Sequence, residues 1–491
     1  MTKKSNLNHH PVIKFPLKKL STFKKLLLPS ALMCSAPAMA AELWEMSLED
    51  LGKVRVTAIA SGTLTPLDKA AAIATVITED DIDAMGATDL DQVLEAVPGL
   101  HVSRSEQAYT AKYIIRGITS TFNPQTLVLI NGIPISSLYT GNRGNIWAGM
   151  PVKAIARIEV IRGPGSALYG ADAFAGVINI ITKNGAELKG TKTAIRAGSF
   201  NTQAASLEHG GKYGDFDVGF TLEAETTDGW KKIVTEDHQT ANDNDPKAPV
   251  KTNASLAPGA INTAKDMVDA RLDIAHGNSR LRMGYQGRYH VGSSVGYAEA
   301  LDPSSRIRSE RYNLDYSYSL KDLTPDWEAD ARVSYYRNTQ EVEKNIYLYP
   351  RGASIPVPPF DKQSDHTFPD GVIGNPGYQE ENARVDLSSL YKGFADHFVR
   401  IGAGFTWDDM FEVTETKNFT VDVRPRPNGV ETVTDTAEVY LPESQRKNYY
   451  LFAQDEWKFA DNWQATTGVR YDHFSDFGDT TNPRLDRKSV V

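Results

Sequence analysis

From about residue 189 the chain alternates apolar and polar residues one for one. In residues 311–320, Tyr312, Leu314, Tyr316, Tyr318 and Leu320 interleave with Arg311, Asn313, Asp315, Ser317 and Ser319. In residues 280–291, Leu281, Met283, Tyr285, Tyr289 and Val291 interleave with Arg280, Arg282, Gln286, Arg288 and His290. Residues 215–225, 268–274, 327–335, 399–407 and 463–471 repeat the pattern. A period of two predicts β-strands with one apolar and one charged face. Soluble sandwiches and membrane barrels both use such strands, and two features favour the barrel. Several runs reach about ten residues, beyond the usual mode of about 5–6. Tyr289, Trp327, Tyr335, Trp407, Trp463 and Tyr471 stand near strand ends, like the aromatic girdles of outer-membrane barrels. Short turns at 212–215, 276–279, 321–326, 393–396 and 460–462 alternate with long polar stretches at roughly 227–265, 293–308, 344–381 and 414–445. A membrane barrel has short turns on one rim and long loops on the other. Eleven strands are expected, with a twelfth beginning near Asn482.

Residues 71–183 follow a mixed α/β grammar. Ala74–Thr78 reads as a strand. Thr78 and Thr88 each precede acidic residues, and Thr88 with Asp91 resembles a capping box opening a helix over 89–96, stopped by Pro98 and Gly99. Residues 127–130 and 177–181 are short apolar strands, and 157–161 is another, preceded by a helical turn at 151–156.

At 491 residues the chain is long enough for two domains or one large barrel, and its net charge of −9 does not favour nucleic-acid binding. Lys14, Lys18, Lys19, Lys24 and Lys25 precede a short apolar run at 26–33 and the small-x-small site Ala38, Met39, Ala40. This reads as a signal peptide over 1–40, too short in its apolar run to anchor the chain. Cleavage after Ala40 would remove the single cysteine, Cys34, leaving no disulfide. No arrangement for catalysis, resident metal or cofactor stands out.

Gly165 and Gly170 bracket four residues, the spacing of a phosphate loop. Ala171 and Asp172 follow where that loop requires Lys and a hydroxyl, so the chemistry fails. The whole stretch, R-I-E-V-I-R-G-P-G-S-A-L-Y-G-A-D-A-F-A-G-V-I-N-I-I-T-K, resembles instead the plug signature of TonB-dependent outer-membrane receptors. Ile114-Ile115-Arg116-Gly117, L-V-L-I-N-G-I-P from Leu127, and the Val97-Pro98-Gly99 turn agree with it.

The resemblance implies a small α/β plug domain inside a transmembrane antiparallel β-barrel, 22-stranded in the family. It assigns 41–70 to an N-terminal segment with a TonB box, 71–185 to the plug and 186–485 to a partial barrel. The last six residues, 486–491, break the alternation and read as an artefactual tail on a C-terminally truncated chain. The box candidate is Val54, Arg55, Val56, Thr57, Ala58, Ile59 and Ala60, β-prone and followed by Ser61-Gly62; it also reads as a plain plug strand. In the family, the motif arginines matching Arg116 and Arg162 pair with barrel glutamates; ordinary surface ion pairs are the other reading. Gly163, Gly165, Gly170 and Gly176 read as turn and close-packing positions. Asp269, Arg271, Asp273, Arg282 and Arg288 are expected on the inner face. Ligand candidates are Arg104, Tyr109, Tyr139 and Arg143 on the plug and Tyr347, Tyr349 and Arg351 on a long loop, though such residues are often simply solvated. The implied function is TonB-coupled import by a single receptor copy in outer-membrane lipid, with a ferric siderophore or other iron complex as ligand. Cobalamin, haem or another nutrient is the alternative, and a passive porin or a signal-transducing receptor belongs to a different class.

Overall fold

The computed structural model describes residues 56, 57, 59, 65–67, 70, 72–104, 110–135, 137–139, 141, 150–246, 250–355, 366–460 and 463–489. The signal-peptide assignment lies outside the described residues. Two sheets with opposite wiring dominate the rest.

The plug sheet has five strands in the order Ala74–Thr78, Ile155–Arg162, Gly176–Thr182, Thr126–Ile130 and Ile133–Ile135. Thr126–Ile130 and Gly176–Thr182 pair in parallel, and the other neighbours are antiparallel. Every residue of Thr126–Ile130 is buried, as expected for a continuous apolar run covered on both faces. Helices Glu79–Met85 and Leu90–Glu95 contribute Ile82, Leu90, Val93 and Leu94 to the core around Val128, Ile158 and Ile178. The first helix opens with a capping box between Thr78 and Asp81 and stops at Gly86, whose φ of 65° suits glycine. The second starts one residue later than expected. Asp89, not Thr88, is its N-cap, because its carboxylate reaches the Gln92 amide at 3.0 Å. The helical turn expected at 151–156 closes early, and the strand already begins at Ile155.

The second sheet is a wall whose main path is twelve sequential antiparallel strands: Gly190–Gly198, Thr202–Tyr213, Phe216–Thr227, Lys265–His276, Ser279–Val291, Arg306–Thr324, Trp327–Lys344, Val372–Tyr391, His397–Lys417, Ser444–Ala460, Trp463–Phe474 and Gly478–Ser489, with the short strands Tyr347–Tyr349 and Glu431–Thr432 pairing onto it. The twelfth strand starts at Gly478 rather than near Asn482, because Asp479 to Asn482 are polar on both faces and hide the period. Residues Asp486 to Ser489 continue its ladder against Trp463 to Thr466. Among the described residues the first and last strands do not pair, so the wall is open. The long stretch expected at 344–381 is shorter, since Val372–Tyr391 already pairs within it. The rim with the long loops also carries short turns at 199–201 and 475–477, so short and long alternate only in the middle of the wall.

The wall is built inside out. Asp269, Arg271, Asp273, Gln286, Arg288, Arg311, Asp315 and Asn338 are buried on the side facing the plug. Asp273 lies 3.4 Å from Arg282, which lies 3.5 Å from Asp315 on the next strand. The opposite face exposes Met283, Leu314, Val333, Leu387, Ile401, Leu451 and Val469. Near one rim aromatic rings follow one another along this face: Trp327 with Tyr391 at 4.6 Å, His397 with Trp457 at 5.4 Å, and Phe459 with Trp463 at 6.4 Å. An exposed apolar band edged by aromatics is suited to lipid, not to water.

Candidate coupling segment and ligand face

Thr57 and Ile59 of the candidate coupling segment lie on the plug core. Val56–Thr57 pairs with Thr65–Pro66 as a short antiparallel ribbon. Thr57 is fully buried, and its hydroxyl donates to Glu159 Oε2 at 2.8 Å. The Ile59 amide donates to the same oxygen at 3.2 Å, while Arg157 Nε donates to Glu159 Oε1 at 2.8 Å. The Ile59 carbonyl accepts from the Tyr169 hydroxyl at 3.0 Å, and its side chain packs among Leu127, Leu129, Ile161 and Val177. One buried carboxylate therefore holds two residues of this segment, Thr57 and Ile59. Val54, Arg55, Ala58 and Ala60 lie outside the described residues.

The signature hairpin needs its glycines for two reasons. Gly163 and Gly170 have φ of 136° and 88°, open to glycine alone at low cost. Gly165 and Gly176 are steric: a Cβ would stand 2.7 Å from Val177 Cγ2 in the first case and 2.4 Å from the Ile161 carbonyl oxygen in the second. Arg470 of the wall reaches this hairpin, donating to the Leu168 carbonyl at 2.7 Å while Asp472 accepts from its Nε at 2.8 Å. Arg162 stays within the plug, donating to the Pro98 carbonyl at 2.6 Å and to Thr75 Oγ1 at 3.2 Å. Arg116 is exposed, and among the described residues neither arginine has an ion pair. Other groups join plug to wall. Lys183, buried, bridges Glu79 at 2.7 Å and Glu208 at 2.8 Å. Arg332 donates to the Asn131 carbonyl at 3.1 Å. Glu380 accepts from Ser137 Oγ at 3.1 Å and from the Leu138 amide at 3.0 Å.

The ligand candidates fall in separate places. Arg104 is tied at 2.6 Å to Asp91, which also accepts from the Tyr113 hydroxyl at 2.9 Å. Burial pushes the Asp91 carboxyl up from its usual range, with Arg104 pulling the other way. Tyr139 is buried and stacks on Tyr378 with ring centroids 4.2 Å apart, beside Met410 and Val413. Tyr347 donates its amide to Asp302 at 2.9 Å, Tyr349 stands edge-on to His238 at 5.7 Å, and Arg351 is exposed. Tyr109 and Arg143 lie outside the described residues. Glu159 lies inside the plug signature but is not singled out by it; Arg470, Tyr378 and Glu380 are not singled out either, and the pattern of the wall strands marks Tyr378 and Glu380 only as part of a long loop.

A sheet with lipid-suited outer and charged inner faces, occupied by a small α/β domain, defines a plugged β-barrel receptor. The family model for the TonB-dependent Receptor Plug Domain matches residues 66–177, and that for the TonB dependent receptor-like, beta-barrel matches 259–489. Between them they cover well over half of the chain, which belongs to the TonB-dependent receptors. These are receptors and transporters, not enzymes. The chain is 42% identical over 135 residues to a vitamin B12 transporter, BtuB, of Vibrio vulnificus (strain CMCP6), covering 27% of this chain and 21% of that protein. It is 26% identical to the ferrienterobactin receptor of Escherichia coli (strain K12), covering 89% of this chain and 61% of the relative. The crystal structure of a ferric enterobactin receptor (PfeA) mutant from Pseudomonas aeruginosa shares the fold at a TM-score of 0.56 and 18% identity, covering 88% of this chain and 61% of that one. The chain thus spans at most about three fifths of these relatives.

Proposed function

We propose that this receptor imports a scarce nutrient across the outer membrane, foremost a ferric siderophore or another iron complex. TonB supplies the energy by adding a strand to the segment at 54–60. The observation that carries this reading is a plug seated in an inside-out wall, with that segment docked on the plug core through Glu159. A plugged wall has no use as a passive pore. Strand addition works through main-chain hydrogen bonds, so a proline removes a donor whatever the side chains. The twelve strands belong, on this reading, to a 22-stranded barrel, and the open wall and the partial span of its relatives support that. Arg116 and Arg162 would then meet carboxylates on strands other than these twelve. The local identity to a vitamin B12 transporter favours cobalamin as the second reading of the ligand.

Uptake by the intact gene in iron-starved cells, against a panel of ferric chelates, cobalamin and haem, tests this. Uptake of an iron complex that Val56→Pro abolishes while binding survives is the expected result. Absence of uptake for every iron complex sinks the leading assignment, and normal uptake by Val56→Pro sinks the box.

A further inference from the structure

Beneath the plug a cavity of about 370 Å³ separates it from the wall. Wall arginines Arg332, Arg384, Arg400 and Arg470 line it, against only Asp330 and Asp386 among the acids. Two of the four are committed to the plug: Arg470 through the Leu168 carbonyl and Arg332 through the Asn131 carbonyl. Arg384 is not. Its ion pair to Asp386 is loose, at 3.9 Å, and Asp386 also accepts from the Tyr450 hydroxyl. The Nε atoms of Arg332 and Arg384 are buried without a hydrogen-bond partner among the described residues. A buried guanidinium N–H without an acceptor is costly, and a planar fork of donors suits an oxyanion. Tyr169 and Ile59 also line the cavity, Ile59 from the candidate coupling segment and Tyr169 as the hairpin residue that donates to its carbonyl.

We infer that this cavity is an anion-binding subsite on the transport route, recognising the carboxylate or phenolate oxygens of a negatively charged chelate. The inference rests on the proposed import function and adds to it a chemical class of cargo and a place inside the protein. An anion held there stands between Arg384 and the Tyr169–Ile59 contact. A cavity lining with an excess of one sign, here four arginines against two aspartates, raises the local concentration of the opposite charge by about tenfold or more.

Ser388 lines the same cavity, so its thiol replacement reports the local potential. The purified full chain would carry Cys34→Ser and Ser388→Cys. Its rates of reaction with an anionic and a cationic methanethiosulfonate would be compared, each divided by the rate with free 2-mercaptoethanol. The anionic reagent should be favoured about tenfold, and millimolar citrate should slow it. Arg384→Gln should remove most of that preference and the citrate protection, while Arg384→Lys retains the preference. Arg400→Gln serves as a second neutral variant if the first does not fold. Equal rates in the parent, an unreactive thiol, no protection by citrate, or an unchanged ratio in the neutral variants overturns the subsite. None of these readouts needs transport. Absent uptake with the charge preference intact would sink the import function alone, and normal iron uptake with equal thiol rates would sink the subsite alone.

Discussion

The plug sheet and the wall sheet obey the same pleat and opposite solvents. In the plug, Val128, Ile158 and Ile178 turn inward and are fully buried. In the wall, Val333, Leu387 and Leu451 turn outward and are more than half exposed, while Asp269, Asp315 and Asn338 are buried. Alternation alone thus says that a strand has two faces. It does not say which face meets water. The inner wall can bury charges because they pair across strands and face a polar plug, as Asp273, Arg282 and Asp315 do.

The largest effect that could break this contrast is a charge in the plug core. Ile178→Asp places an unpaired carboxylate among Val128, Ile158 and Val160, and should cost more than about 4 kcal/mol. The plug then unfolds or becomes protease-sensitive within the wall; a protease-resistant plug would show that its core is wetter than described. The matching test on the wall is Leu387→Arg. In a soluble sheet that exposed position would tolerate arginine within about 0.5 kcal/mol. Facing lipid near the bilayer midplane it costs about 2–4 kcal/mol. Folding into vesicles monitored in urea separates the two, and a near-zero change removes the membrane reading of the outer face.

Glu159→Ala sharpens the contrast within the plug itself. It leaves Thr57 Oγ1, the Ile59 amide and Arg157 Nε without their shared acceptor, at a cost of about 1–3 kcal/mol. That cost falls on the contacts of Thr57 and Ile59 rather than on the five-stranded sheet. Amide exchange at Ile59 should accelerate while Ile178 and Ile180 keep their protection. Unchanged exchange at Ile59 would mean that the apolar contacts to Leu127 and Val177 suffice to hold the segment, and that Glu159 is not its anchor.

These residues also mark how far the sequence could be read. Ala74–Thr78 was legible because a β-branched run ends at a capping threonine. The wall was legible between its aromatics, where lipid imposes one apolar face. Beyond them both faces are polar, and the strands expected at 327–335 and 399–407 run on to Lys344 and Lys417 without a pattern to announce it. The plug–wall and segment–plug contacts were not legible. Thr57 meets Glu159 across 102 residues, Ser137 meets Glu380 across 243, and Arg470 meets Leu168 across 302. Nothing in the neighbouring sequence marks these residues as partners of one another. The tryptophans and tyrosines told where the membrane lies; the partners of the plug follow only from the fold.

The smallest effect concerns how the plug's exposed edge answers to pH. Glu95 is largely solvent-exposed, and its carboxyl is held below its ordinary value of 4.5, first by the Val102 amide at 2.6 Å and then by His101 at 2.9 Å. A depressed folded-state pKa means that the charged form is bound more tightly in the folded plug. The stabilisation is therefore present above about 4.5 and fades as pH falls through the lower folded value. Screening at so exposed a site keeps it under about 1 kcal/mol. Exchange at the Val102 amide, corrected for intrinsic rates, should rise on acidification below pH 4.5. In Glu95→Gln that pH dependence should disappear. A dependence that survives the substitution would assign it to another group, and the tie between the second helix and the Leu100–Arg104 strand would rest on the Arg104–Asp91 ion pair and apolar packing.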